Sequence, residues 1–176
     1  NPMKRKKLTA SMIALVMSVS LPMTTYAANW YLEDGSVTVN ADNSGQTVTQ
    51  GGGSAVPDEA PVITQRESSV ETGNTIAINA SDNATANVTI KDINIKSSND
   101  AIDVKGSSSA NITLEGDNKI FSETGSALHI SDGNVTIGGS GSLKAEIQDD
   151  RGSGANYNAK IGSHENEDMS GSIHIT

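Results

Sequence analysis

The feature that most constrains this chain is a four-residue unit that returns at almost constant spacing. Asn87-Val88-Thr89-Ile90, Asn111-Ile112-Thr113-Leu114 and Asn134-Val135-Thr136-Ile137 begin 24 and then 23 residues apart, and a weaker copy, Ser172-Ile173-His174-Ile175, follows near the end. A short β-branched run cannot bury its apolar face alone. Repeated at such a period, it does so by stacking on its neighbours. The expected fold is therefore all-β, a parallel solenoid (β-helix) of about 23–24 residues per rung. Such a fold builds a long regular surface before it builds a pocket.

The N-terminus reads as a separate segment. Asn1-Pro2 precede the first methionine, Met3, as an upstream lead. Lys4-Arg5-Lys6-Lys7 then form a basic head, Leu8 to Leu21 is apolar and uncharged, and Thr25-Tyr26-Ala27 offers small residues at the −3 and −1 positions of a cleavage site. This pattern is that of a secretory signal peptide, 1–27, and is too short and wrongly flanked for a spanning helix. The leader carries four of the 12 basic residues and none of the 21 acidic ones, so the mature chain has eight against 21, a net charge of −13. A surface so acidic disfavours nucleic acid and anionic membranes, both of which demand Lys and Arg. With no cysteine, an exported chain must be held by packing or metal rather than by disulfides. The expected location is secreted or at the surface of a bacterial, Gram-positive cell, with no membrane contact after cleavage.

The mature chain divides into three stretches. Residues 28–50 read as N-terminal strands forming a cap, with Val37-Thr38-Val39 and Thr47-Val48-Thr49 on either side of the turn Asp42-Asn43-Ser44-Gly45. Residues 51–73, with Gly51-Gly52-Gly53-Ser54, Pro57 and Pro61, read as a loop or linker. Residues 74–176 read as the rungs, each of three short strands. Alternation points Val88, Ile90, Ile93, Ile95, Ile102 and Val104 inward in the first rung. Ile112, Leu114, Ile120, Leu128 and Ile130 follow in the second, and Val135, Ile137, Leu143 and Ile161 in the third. The same spacing predicts an outward column of Thr89, Thr113 and Thr136, continued by His174, and an Asn ladder of Asn87, Asn111 and Asn134. Trp30 and Tyr31 are the expected N-terminal cover. The last run ends at Thr176 without a visible cap, so further rungs of the same chain, or a second chain, are expected at that edge.

Candidate chemistry is sparse. Asp92, Asp100 and Asp103 cluster in sequence, with Asp149-Asp150 and Glu165, Glu167 and Asp168 further on. Carboxylates of this kind serve glycosidases and lyases as acid and base, or hold Ca²⁺. Outward turns of an acidic exported protein are rich in Asp for no catalytic reason, however. A lyase for acidic sugars also needs more than the arginines left after cleavage, Arg66 and Arg151. Catalysis is thus the alternative reading, with Asp92, Asp100 and Asp103 its candidates. No cofactor is implied, and Ca²⁺ is the one ion that the carboxylates leave room for. His129, His164 and His174 lack metal-ligand spacing and have no cysteine partners. No metal centre is expected, and His129 reads as a solvated strand residue. Sugar binding wants flat aromatic platforms, and the mature chain offers few: Trp30, Tyr31 and Tyr157 as candidate ligand contacts, plus Phe121. One Thr per rung also argues against a flat ice-binding face, which needs paired threonines.

The run Asn29–Gly52, then Ala60-Pro61-Val62-Ile63-Thr64-Gln65, then the repeated Asn-[Val/Ile]-Thr-[Ile/Leu] rungs resemble a family of exported, repeat-containing surface proteins of gut Firmicutes. These are often labelled carbohydrate-binding-domain or adhesin-like. Gly154-Ala155, Ile161-Gly162 and Gly171–Thr176 match that family's repeat, while Asn156-Tyr157-Asn158 is an insertion in it. The resemblance implies a right-handed parallel β-helix and a non-catalytic surface role towards glycans or host surface proteins. It implies no particular ligand residue.

Overall fold

The computed structural model describes residues 27–148 and 156–176. The leader through Tyr26, Asp149-Asp150, Arg151 and the Gly154-Ala155 match lie outside the described residues. The described chain is nearly all-β, and its sheets are mainly parallel. Besides strands it holds a single 3-10 turn, Leu32–Asp34. In chain order the strands are β1 (Asn29–Tyr31), β2 (Val37–Asp42), β3 (Gly45–Gln50), β4 (Val56–Pro57), β5 (Val62–Thr64), β6 (Ile76–Ala80), β7 (Thr85–Lys91) and β8 (Asn94–Ser97). They continue as β9 (Ile102–Val104), β10 (Ser109–Glu115), β11 (Asp117–Ser122), β12 (Leu128–Ile130), β13 (Asn134–Gly139), β14 (Ser142–Ile147), β15 (Ile161–Gly162) and β16 (Ser172–Ile175).

From β7 onward the chain visits three sheets in strict rotation. Sheet A has the order β1-β5-β7-β10-β13-β16, sheet C β8-β11-β14, and sheet B β4-β3-β2-β6-β9-β12-β15. All pairings in A and C are parallel. Only the β2–β3–β4 meander at the N-terminal end of sheet B is antiparallel. Most strands present alternate residues to one continuous core, in columns of like aliphatics, while β4 is exposed. Val39, Ile78, Val104 and Ile130 stack in sheet B, and Ile63, Ile90 and Leu114 in sheet A. Burying such a side chain contributes roughly 1.5–3 kcal/mol. The inward set follows the alternation, with Leu143 and Ile161 only partly buried on the outermost strands of sheets C and B.

Two readings of the sequence are corrected here. Residues 51–73 are not merely a connector. They carry β4, which pairs with β3, and β5, which sits between β1 and β7, and Thr72 bridges to Ile95 of sheet C. Pro61 conceals β5 in the sequence, yet its carbonyl still accepts from the Thr89 N–H at 2.9 Å. The second correction is one of register. Asn87 pairs with Asn111, as expected, but Asn111 pairs with Thr136, and Asn134 pairs with Ser109 and Ser172. The Asn ladder therefore has two members, Asn111 Nδ2 donating to Asn87 Oδ1 at 3.1 Å. The Thr column likewise stops at Thr89 and Thr113, which meets Gly138. A slip of two residues keeps every side chain on its face, so alternation cannot detect it. Packing selects it, because small Ala110 then lies against Val135 and large Leu114 against Gly139.

The N-terminal end is closed by polar brackets as well as by strands. Trp30 packs on the core, and its indole N–H donates to Asp58 Oδ2 at 2.8 Å. Buried Gln46 donates to the carbonyls of Asp58 and Asn87 and accepts from the Asn87 N–H. No helix among the described residues is long and apolar enough to cross a membrane.

Candidate functional site

Among the described residues, a dense group of titratable side chains lies on the outer face of sheet B. Asp103 on β9 and His129 on β12 are register partners, so both point away from the core side by side. Asp100 comes from the turn between β8 and β9, and His164 and Glu167 come from the segment between β15 and β16. His129 spans two carboxylates, with Nδ1 2.8 Å from Asp103 Oδ1 and Nε2 2.8 Å from Glu167 Oε2. Asp100 reaches both imidazoles, its Oδ1 2.7 Å from His164 Nε2 and its Oδ2 3.7 Å from His129 Nδ1. The two rings stack with centroids 3.9 Å apart and planes 14° apart. Asp103 also holds Lys105 Nζ at 2.6 Å.

His129 is not the solvated strand residue that alternation predicts. Its side chain is 12% exposed and that of Asp100 10%, because the segment between β15 and β16 folds back over sheet B. The Glu167 carboxylate fastens that segment, accepting from the His164 N–H at 3.0 Å as well as facing His129. Burial works against charge on His129, but the hydrogen bonds to Glu167 and Asp103 and the nearby Asp100 outweigh it, so its pKa is raised. The His129 partner and the His164 N–H hold the Glu167 carboxyl below its ordinary value. The Asp103 carboxylate holds Lys105 charged above its ordinary range. Asp100, His129 and His164 each place a potential ligand atom within 4.8 Å of the others. Two of the histidines that lack ligand spacing in the chain, His129 and His164, are thus brought together by the fold. The third, His174, lies exposed on β16 in sheet A.

Of the three acidic candidates, Asp100 and Asp103 converge and Asp92 does not. Asp92 lies in the β7–β8 turn, where its Oδ1 accepts from the Asp117 N–H at 3.1 Å. It adopts φ 49°, the left-handed region that Asp tolerates in turns. The aromatic candidates do not form one platform. Trp30 is taken up by Asp58 and the core, Tyr31 lies under the Arg66 guanidinium at 4.1 Å, and Tyr157 stands 70% exposed before β15.

Phe121, by contrast, stands half-exposed on the outer face of sheet C, within a shallow groove. Lys96, Phe121 and Glu146 form one outward column there, and Asn94, Lys119 and Lys144 the next. Lys96 Nζ lies 5.9 Å from the Phe121 centroid. Lys144 meets Glu146 at 3.2 Å and Lys96 meets Glu71 at 4.0 Å. Like charges directly opposite on neighbouring strands disfavour the fold, and Lys119 and Lys144 stand so, on strands about 4.8 Å apart.

Comparison with protein-family models finds no match to the chain, and no curated protein and no solved structure matches it.

Proposed function

We propose that this chain is an exported, non-catalytic surface module whose three sheets coil as a right-handed parallel β-helix, and that the outer face of sheet C binds an acidic glycan. The module is of the kind found in exported, adhesin-like repeat proteins of gut Firmicutes. The leader-like N-terminus supports export, and the rotation of successive strands through sheets A, C and B supports the coil. The observation that carries the ligand class is the lysine pair Lys119–Lys144 held in register beside the Phe121 ring, in a chain that is acidic overall. An arrangement that costs stability without a ligand is repaid when carboxylates or sulfates neutralise it while a sugar ring covers Phe121. Each contact is weak and gains strength in series along an extended polymer.

The test is calorimetric titration of the purified chain with polygalacturonate and with a neutral xylan. The acidic polymer binds and the neutral one does not. Charge reversal in the K119E/K144E variant lowers affinity at least about tenfold, roughly 1.4 kcal/mol. Equal binding of both polymers, or an unaffected double variant, refutes the reading.

One observation favours a second reading. Asp100, Asp103 and Glu167 converge on His129, as they would in a carbohydrate-active enzyme of β-helix type. Release of reducing ends or unsaturated sugars, lost on D100N and D103N substitution, supports it. The absence of cleavage across a polysaccharide panel removes it.

A further inference from the structure

The structure assigns a binding site for a divalent transition-metal ion, of the Zn²⁺ class, to Asp100, His129 and His164. This inference stands apart from the glycan reading, since it concerns sheet B and not sheet C.

Three features carry it. The first is donor geometry: one oxygen and two imidazole nitrogens, all within 4.8 Å of one another, come from the β8–β9 turn, β12 and the segment after β15. The second is orientation. Asp103 faces one ring nitrogen of His129 and Glu167 the other. Whichever nitrogen takes the ion, the opposite one keeps a carboxylate partner that fixes the ring, as in metal sites generally. The carboxylate on the ligating side then becomes a fourth donor, completing a tetrahedral set. The third is charge. Asp100, Asp103 and Glu167 crowd a half-covered site where, among the described residues, Lys105 is the ammonium paired with a carboxylate of the group. A cation relieves that crowding.

The donor set selects the ion. Two imidazoles with carboxylates suit Zn²⁺, Ni²⁺ or Cu²⁺, whereas Ca²⁺ wants six to eight oxygens. The Ca²⁺ that the Asp-rich turns alone evoke is therefore not the ion of this site. Binding has a structural requirement. Two rings only 14° from parallel cannot both aim their in-plane lone pairs at one ion, so His164 must turn out of the stack. It is the ring free to do so, being one-third exposed on the segment between β15 and β16. The ion replaces the proton between His164 Nε2 and Asp100 Oδ1 and staples that segment to sheet B.

The experiment titrates Zn²⁺ alone into the metal-stripped chain, with Ca²⁺ as comparison. It reads stoichiometry by calorimetry, ring signals by imidazole NMR, and melting temperature. One Zn²⁺ binds per chain and Ca²⁺ does not. The His129 and His164 ring signals move while that of His174 stays, and the melting temperature rises with free Zn²⁺ as mass action requires. H164A lowers affinity at least about 100-fold. D103N, which alters a carboxylate that either orients His129 or joins the donor set, lowers it about 10–100-fold. H164A changes a side chain of a connecting segment, so its circular dichroism and its melting temperature without metal verify that the fold persists. No stoichiometric Zn²⁺ uptake, uptake unchanged by H164A, or ring shifts centred on His174 overturns the site.

Discussion

Asn118 tests whether buried polar brackets, rather than exposed side-chain ladders, hold neighbouring strands together. Asn118 is 1% exposed, and its side chain joins three separate stretches of chain. Nδ2 donates to the carbonyls of Glu115 and Ser142, each at 3.0 Å, and Oδ1 accepts from the Ile93 N–H at 3.2 Å. Replacing Asn118 with Ala removes three bonds at about 0.5–1.5 kcal/mol each, so the loss is about 2–4 kcal/mol. N118D is at least as harmful, because an ionised carboxylate keeps the Ile93 bond but faces two carbonyl oxygens with no proton to give. N111A, which breaks the exposed ladder bond to Asn87, costs no more than about 0.5 kcal/mol. Urea unfolding followed by far-ultraviolet circular dichroism gives all three from shifts in midpoint at constant slope. If N118A lies within about 0.5 kcal/mol of the parent, or N111A matches it, the bracket argument fails.

Two further outcomes follow from the N-terminal end. Asp58→Ala removes the acceptor for the Trp30 indole and the N–H groups of Ala28 and Ala60. It lowers stability by about 2–4 kcal/mol, and red-shifted emission from Trp30, the one tryptophan of the chain, reports the loosened cover. Acid acts on the Glu33–Arg66 contact. Desolvation raises the Glu33 pKa, but the N–H groups of Glu67 and Arg66 bind its carboxylate and hold the net value below the ordinary one. Its contribution is therefore fully present above the ordinary glutamate pKa and is lost as pH falls through the lower folded value. Melting temperatures measured from pH 5 down to pH 2.5 show a shallower acid decline in E33Q than in the parent. Parallel curves refute the assignment.

What was legible in the sequence and what was not divides along one physical line. Strand faces follow from a period of two, so Val88, Ile112 and Val135 are inward whatever the pairing. Register is a separate choice, made by Ala110 against Val135 and Leu114 against Gly139, and a unit that recurs at 23 residues pairs at 25. Strand β5 escaped because three residues beside Pro61 carry too little pattern, and only its neighbours β1 and β7 make it a strand. The site was hidden because its members come from distant stretches of chain: Asp103 and His129 share a column across β9 and β12, and the others enter from the connections between strands. A signal existed in the middle strands. Ile102-Asp103-Val104 and Leu128-His129-Ile130 have the same apolar-polar-apolar form and pair residue for residue, as do Lys119 and Lys144 on the next sheet. Aligning those weaker strands, rather than the conspicuous Asn-Thr unit, brings out both outward columns. His164 and Glu167 could not be reached that way, because they enter from an insertion between β15 and β16 that follows no period. Such an insertion is also where a stack of parallel strands can add a function without disturbing its core, since it crosses the outer face of a sheet whose inner face is already filled.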